Sequence, residues 1–154
     1  MIKVEPLSRQ IDGPLGPVTI FADGNEIIKL RFGRGGADHS DLLDRAAGQL
    51  TAYFTRELKV FDLPLAFLPG LTGEVQRQMV AIPFGETRTY GELGRALGVP
   101  PQAIGQACGG NVIPILIPCH RVLGTHGLGG FSAPGGVETK VALLKHEGAA
   151  SLLI

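Results

Sequence analysis

The sequence predicts an α+β fold, in which a β-rich N-terminal part with one helix precedes a mainly helical C-terminal part. Two observations predict it. A β-branched run at residues 16–22 is followed by a turn and a second strand-like run at 26–32. From residue 73 onward, apolar residues recur at helical spacing between Gly and Pro breaks. A chain of 154 residues suits one domain or two small ones.

The N-terminal elements follow from local chemistry. Asp23-Gly24-Asn25 separates the two strand-like runs and predicts a hairpin. A helix should then begin at Ser40 or Asp41, either of which can cap it, because apolar residues recur at helical spacing up to residue 54. A short extended piece is predicted at 60–65, and a turn at Pro69-Gly70 should link two lobes.

The C-terminal part predicts four helices and one buried run. An amphipathic helix is expected at 73–82. Thr89 with Glu92 three residues later forms a capping box that opens a second helix, closed by Gly98. Pro101 suits the first turn of a third helix, and the pair resembles a helix-turn-helix. The apolar run 112–118 should be buried, and a last helix is expected at 137–146.

Composition limits the function classes. The chain has 44% apolar and 18% charged residues, so it is not a disordered chain, and no run of 18 apolar residues predicts a membrane span. Two cysteines are too few for a disulfide scaffold, which fits a reducing cytoplasm. No cluster offers four metal ligands, so we expect neither a metal nor a cofactor. With 14 basic and 14 acidic residues, the chain has no net charge, so we expect it to contact few phosphates if it binds nucleic acid.

Cys119 is the strongest candidate for chemistry, because it ends the apolar run and immediately precedes a His and an Arg. A neighbouring cation or base favours the reactive thiolate, although a buried structural cysteine is the alternative. His120 could take the thiol proton, directly or through a water, or simply be hydrogen-bonded in a loop. Glu147 could orient His120 or be solvated.

Three further residues have open interpretations. Asn111 could bridge backbone segments or be an ordinary turn residue. Arg121 could neutralise a carboxylate or a helix end, or contact phosphate. Cys108 is expected to be a small packing residue in the second helix of the pair.

Several segments together resemble one protein family. Ile115-Leu116-Ile117-Pro118-Cys119-His120-Arg121-Val122 is similar to the active-site signature of the O6-alkylguanine-DNA alkyltransferases. The resemblance extends over nearly the whole chain in the right order, which makes it far more specific than one short motif. The other segments that carry it are 13–17, 82–87, 90–93, 129–132 and 143–148.

The resemblance implies two lobes: a ribonuclease-H-like α/β lobe at 1–68, and a winged-helix-like lobe with the helix-turn-helix and thiol at 69–154. It implies single-turnover DNA repair, in which the alkyl (methyl) group of O6-alkylguanine passes irreversibly to the protein's own cysteine. The partner would be double-stranded DNA, bound through its minor groove by a monomer, with the damaged base flipped out of the stack.

The resemblance also assigns residues. Cys119 would be the acceptor, His120 its proton relay through water, Glu147 the group that orients His120, and Asn111 the support of the nearby turn. Tyr90 would lie near the flipped nucleotide or its phosphate. The DNA- and substrate-binding set would comprise Tyr90, Gln102, Ala103, Gly105, Arg121, Phe131 and Ser132.

Departures from the family pattern concern DNA handling. Gln102 stands where the family has an arginine that replaces the flipped base, so the charge and the planar guanidinium are lost. Phe131 stands where a tyrosine is common. Three hypotheses therefore stay open: an active transferase with weak binding or slow flipping, a paralogue that binds alkylated DNA without transfer, and a paralogue that uses its thiol on a non-DNA substrate. The retained Cys119 argues against the second.

Overall fold

The computed structural model describes residues 6–124, 127–131 and 135–149. It divides the chain into two compact units, Met1–Ala66 and Phe67–Ile154, whereas the predicted boundary followed residue 68. The first unit has a small sheet and a helix, and the second is mainly helical. The predicted α+β class is confirmed.

The first unit has a three-stranded antiparallel sheet in the order β1 (Leu7–Gly13), β2 (Gly16–Asp23), β3 (Glu26–Phe32). The predicted hairpin is β2–β3. Val18, Ile20 and Ala22, which point to one face of β2, are buried in the core, and Thr19 on the other face is buried as well. Strand β1 was not predicted as an element, because this edge strand is mostly polar and only Ile11 of its side chains is buried.

Helix α1 (Asp41–Phe54) covers the sheet of the first unit and packs against β1 and β2. Its start was correctly predicted: the Ser40 hydroxyl accepts a hydrogen bond from the Leu43 amide at 3.1 Å. The predicted extended piece is present as a short parallel bridge between Leu65 and Ile27.

The second unit begins with α2 (Gly70–Val80), which starts three residues earlier than predicted. The helix-turn-helix is α3 (Tyr90–Leu97) followed by α4 (Pro101–Gly109), and α2 packs against both. The capping box at the start of α3 is confirmed, with Thr89 and Glu92 bonded reciprocally. Gly98 ends α3 in the left-handed conformation (φ 70°), which a residue with a Cβ rarely adopts.

The apolar run after α4 passes through the interior. Ile113, Ile115 and Ile117 are at most 1% exposed, but Val112 is 41% exposed, so the prediction that the whole run is buried was wrong at its first residue. Ile115 has a φ of 69°, a costly conformation for a β-branched residue.

The run ends in a single 3-10 turn, Cys119–Arg121, and then β5 (Val122–Leu123), which pairs in parallel with β4 (Arg88–Thr89). The last helix is α5 (Val137–His146), as predicted. None of the described helices has the length and apolar character that crossing a membrane requires.

Candidate active site

Cys119 opens onto a cavity of about 380 Å³ in the second unit. The apolar run brings the thiol to this cavity, α3 and α4 supply two of its walls, and the segment after β5 supplies another. The cavity therefore brings residues together that lie far apart in the chain. Its lining residues are Tyr90, Gly105, Cys108, Gly109, Cys119, Gly130 and Phe131.

The Cys119 thiol is protonated at rest. The residue is 6% exposed, and this burial raises the pKa of the thiol above its ordinary value. A hydrogen bond from the Asn111 side chain and the charge of Lys140 act in the opposite direction. The neutral thiol thus needs a base at the moment of reaction, and the thiolate that forms has partners in place.

His120 is suited to be that base. Its ring is fully buried, and Nε2–H donates to Oε2 of Glu147 at 2.7 Å. Burial lowers the pKa of His120 although the neighbouring carboxylate opposes this, so the ring is neutral. With the proton on Nε2, the other nitrogen, Nδ1, carries a lone pair. Nδ1 has no hydrogen-bond partner among the described residues, so it is free to accept a proton.

Glu147 is ionised and bonded on both oxygens. Arg121 donates through Nε to Oε1 at 2.8 Å and through Nη2 to Oε2 at 2.9 Å. Burial alone would raise the pKa of Glu147, but the hydrogen bonds from His120 and Arg121 hold it well below its ordinary value. The carboxylate can therefore fix the tautomer of His120 and stabilise its protonated form.

Arg121 turns into the protein. Besides its two bonds to Glu147, its Nη1 donates to the carbonyl of Ile82 at 2.7 Å, and the residue is 5% exposed. This geometry favours the first interpretation of Arg121, neutralisation of a carboxylate. A DNA contact by this side chain finds no support in it.

Asn111 braces the turn that carries the thiol. Its Nδ2 donates to the carbonyl of Ile117 at 2.9 Å, and its Oδ1 accepts from the amide of Ile113 at 3.1 Å. Both bonds are buried, so they are not exchanged with water. Of the two sequence-based interpretations, the structure places Asn111 as a bridge between backbone segments.

Lys140 belongs to the site but was missed from the sequence. It is fully buried in α5, and its Nζ donates to the carbonyls of Val122 at 2.6 Å, Leu128 at 2.5 Å and Gly130 at 3.2 Å. Burial lowers its pKa to about 8, against the attraction of the two cysteines. A signal existed: Lys140 and Glu147 lie seven residues apart, on the same helical face as the buried Leu143 and Leu144.

Tyr90, the first residue of α3, forms another wall of the cavity. Lys140 Nζ lies 5.7 Å from the centroid of its ring, and the Gly130 backbone bonds its hydroxyl. Gly129 packs directly against this ring: a Cβ there would lie 2.6 Å from the hydroxyl oxygen, and its φ of 72° also favours glycine. Gly129 and Gly130 therefore lie close to the Tyr90 side of the cavity.

The predicted DNA-binding residues of α4 occupy its first half. Gln102 is exposed, Ala103 is half-buried, and Gly105 lines the cavity with open space where a Cβ would lie. Phe131 also lines the cavity. Ser132 lies outside the described residues.

Cys108 of α4 has a second feature beyond the predicted packing. Its Sγ lies 3.7 Å from Sδ of Met79, as expected for a core residue, but it also lines the cavity. Burial raises its pKa to about 12, so this thiol stays protonated. Within residues 6–124, 127–131 and 135–149, no three His, Cys, Asp or Glu side chains are grouped to hold a metal ion.

The fold and the site together define a two-unit protein with a helix-turn-helix and a cavity thiol backed by a histidine–carboxylate pair. Two family models match the chain. The ribonuclease-like domain of 6-O-methylguanine DNA methyltransferase matches residues 8–67, and the DNA binding domain of the same family matches residues 71–149. The chain belongs to the 6-O-methylguanine DNA methyltransferase family.

Named relatives agree with this assignment. The methylated-DNA–protein-cysteine methyltransferase of Mycobacterium tuberculosis is 38% identical over 151 residues, covering 90% of each chain. The protein of the same name from Methanosarcina acetivorans is 37% identical over 152 residues, covering 89% of this chain and 95% of its own.

Solved structures are similar along nearly their whole length. The crystal structure of Mycobacterium tuberculosis OGT in complex with DNA superposes with a TM-score of 0.81 at 38% identity, covering 93% of both chains. An O6-methylguanine DNA methyltransferase from Methanococcus jannaschii gives a TM-score of 0.63 at 26% identity, covering 96% of this chain and 92% of that one.

Proposed function

We propose that this protein repairs DNA by transferring the methyl group of O6-methylguanine to Cys119, once per molecule. The observation that carries the proposal is the buried pair His120–Glu147, 2.7 Å apart, in which His120 immediately follows Cys119, a residue that lines the cavity. Family membership and the names of the relatives support transfer over the alternative hypotheses of binding without transfer or of a non-DNA substrate.

In this mechanism Nδ1 of neutral His120, which has no direct hydrogen bond to the thiol, takes the thiol proton through a water as Glu147 stabilises the imidazolium. The thiolate attacks the methyl carbon in line, an S–C bond forms, and the bond from carbon to O6 breaks with its electron pair leaving on the guanine. The guanine recovers one proton, so the thiol hydrogen and the methyl group have exchanged places. The thioether has no route back to a thiol, which limits each molecule to one turnover.

The base must leave the duplex to reach the thiol. We place the extruded base in the cavity between Tyr90 and Phe131, with the first half of α4 against the minor groove. Gln102, exposed on that half, would fill the space left in the stack; it keeps hydrogen-bonding groups but has no charge. The proposal includes a monomer that acts in the cytoplasm.

Intact-mass measurement after incubation with an oligonucleotide duplex containing O6-methylguanine tests the proposal. The protein should gain one methyl group, mapped by peptide mass to Cys119 and not to Cys108, and the Cys119→Ser variant should gain none. Binding without a mass gain would favour the non-transferring paralogue. Neither binding nor gain, with labelling of Cys119 by small electrophiles, would favour a non-DNA substrate.

A further inference from the structure

Gln76 of α2 is a fully buried polar side chain near the site that the mechanism does not use. A buried amide needs partners for both of its ends. Its Oε1 accepts from the amide of Leu68 at 2.8 Å, and its Nε2 donates to Oδ1 of Asn111 at 3.2 Å. Both bonds lie within the second unit.

The backbone fixes which way this amide points. The Leu68 amide can only donate, so it selects the oxygen of Gln76 and leaves the NH₂ group facing Asn111. A donor facing Asn111 selects its oxygen in turn. The amide of Ile113 donates to the same oxygen, so two donors hold the Asn111 side chain in one orientation.

That orientation matters because it decides what Asn111 presents to the thiol. With Oδ1 held by two donors, Nδ2 is directed to the carbonyl of Ile117 and to Cys119, where its hydrogen bond favours the thiolate. The reversed amide would present an oxygen, which would disfavour the thiolate.

We infer that Gln76 is a positioning residue, which transmits the polarity of the Leu68 amide through Asn111 and so sets how readily Cys119 reacts. The inference rests on the proposed function, in which Cys119 is the methyl acceptor. Gln76 does not line the cavity, and its side chain is hydrogen-bonded to Leu68 and Asn111, so its effect is indirect and should be visible in the pH dependence of the thiol.

Two substitutions separate positioning from packing. Gln76→Met keeps the length of the side chain but removes the donor to Asn111. Gln76→Glu retains a donor only while its carboxyl group is protonated; once ionised, it offers an oxygen to the oxygen of Asn111. Val75→Ala is the matched control, because Val75 is equally buried in α2 but has no polar group, so it lowers stability without altering Asn111.

The readout is the rate of Cys119 alkylation by iodoacetamide between pH 6 and 11, followed by peptide mass. For Gln76→Met the midpoint should rise by about 0.5–1 pH unit, and the rate at pH 7.5 should fall about 3- to 10-fold. The alkylation rate of Gln76→Met, divided by that of wild type, should rise with pH because both thiols are ionised at high pH. The same ratio for Gln76→Glu should fall with rising pH, because the carboxyl group ionises and no longer donates to Asn111. Val75→Ala should keep the wild-type midpoint.

If both Gln76 variants keep the wild-type midpoint while folded, Gln76 is a packing residue and the inference is overturned. The same result follows if Val75→Ala moves the midpoint as far as Gln76→Met does. Failure of the proposed function is a separate outcome, because it would appear as a wild-type protein that reacts with iodoacetamide but takes no methyl group from the duplex.

Discussion

The thiol site and helix α4 lie in the same unit but differ in how they use charge. Around the thiol, His120, Arg121, Lys140 and Glu147 are all buried, and each is hydrogen-bonded within the protein. Helix α4, from Pro101 to Gly109, contains no Asp, Glu, Lys or Arg, and its first residues are exposed. The charged side chains of the thiol site thus lie inside the unit, and the first half of α4, which is proposed to face DNA, carries no charge.

The reactivity of the thiol therefore depends on buried charges, whereas DNA binding depends on a surface helix without charge. Buried charges are little screened by salt, so the state of the thiol should be insensitive to ionic strength. A neutral helix releases few counterions from DNA, so duplex binding should depend weakly on salt. Substitutions in the two regions should therefore act on different measurements.

The largest effect is expected for Glu147→Gln. It leaves Arg121 without its counter-charge in the interior and weakens the support for protonated His120. We expect a loss of about 3–5 kcal/mol in the free energy of unfolding, measured in urea, and a fall in methyl transfer of about 10²-fold. Glu138→Gln, which makes the same charge change at an exposed position of α5, should alter neither by much.

An equal fall in transfer for the two glutamate variants would contradict the role given to the His120–Glu147 pair. The contribution of Glu147 to the free energy of unfolding also depends on pH. Because the pKa of Glu147 is held below its ordinary value in the folded protein, its contribution is present above the ordinary pKa and is lost as the pH falls through the folded one.

Lys140→Met should give an intermediate effect with a distinctive pH dependence. The pKa of Lys140 is lowered to about 8 in the folded protein, so between pH 8 and 10.5 the unfolded chain binds more protons. The free energy of unfolding of wild type, relative to this variant, should therefore rise by up to about 3 kcal/mol across that window. Urea denaturation at pH 7.5 and 10 measures it.

Lys145→Met is the control for Lys140, since it removes an exposed lysine from the same helix. Its stability difference from wild type should be flat between pH 8 and 10.5. A flat difference for Lys140→Met as well would mean that the buried ammonium keeps the ordinary pKa of a lysine.

The smallest effect is expected for Gln102→Arg, which adds a charge to the neutral face. Transfer from duplex DNA should rise about 3- to 10-fold, and transfer from single-stranded DNA should rise less, because only the duplex requires a side chain to replace the flipped base. The salt dependence of duplex binding should steepen by about one phosphate contact.

Gln106→Arg separates geometry from charge, because it places the same charge at an exposed position one turn further along α4. It should steepen the salt dependence equally but leave the ratio of duplex to single-strand transfer unchanged. If Gln102→Arg also left that ratio unchanged, the idea that this position supports flipping would be lost.

Features that depend on a few neighbouring residues could be predicted. The capping box of Thr89 with Glu92, the end of α3 at Gly98 and the start of α4 at Pro101 all rest on chemistry within one turn. Strand β1 escaped prediction, because its place at a sheet edge comes from pairing with β2 and not from its own apolar pattern.

Features of the site that depend on distant partners could be predicted only through the family resemblance, or not at all. The spacing of Lys140 places it on the apolar face of α5, but its partners, the carbonyls of Val122, Leu128 and Gly130, lie in other segments of the chain. Gln76 reads as an ordinary polar position of α2 until Asn111, 35 residues further on, gives it a partner. Neither partner can be found from spacing in the chain.

By itself the sequence determined the order of the helices, the β2–β3 hairpin and the adjacency of Cys119 and His120, because these depend on local conformational preference and covalent connection. Only the tertiary structure decided the charge state of the site. Glu147 is hydrogen-bonded to His120 although 27 positions separate them in the chain. The burial that strengthens this hydrogen bond exists only when the 3-10 turn and α5 pack together. Proton affinity depends on the solvent removed and the charges brought near, and both are set by packing.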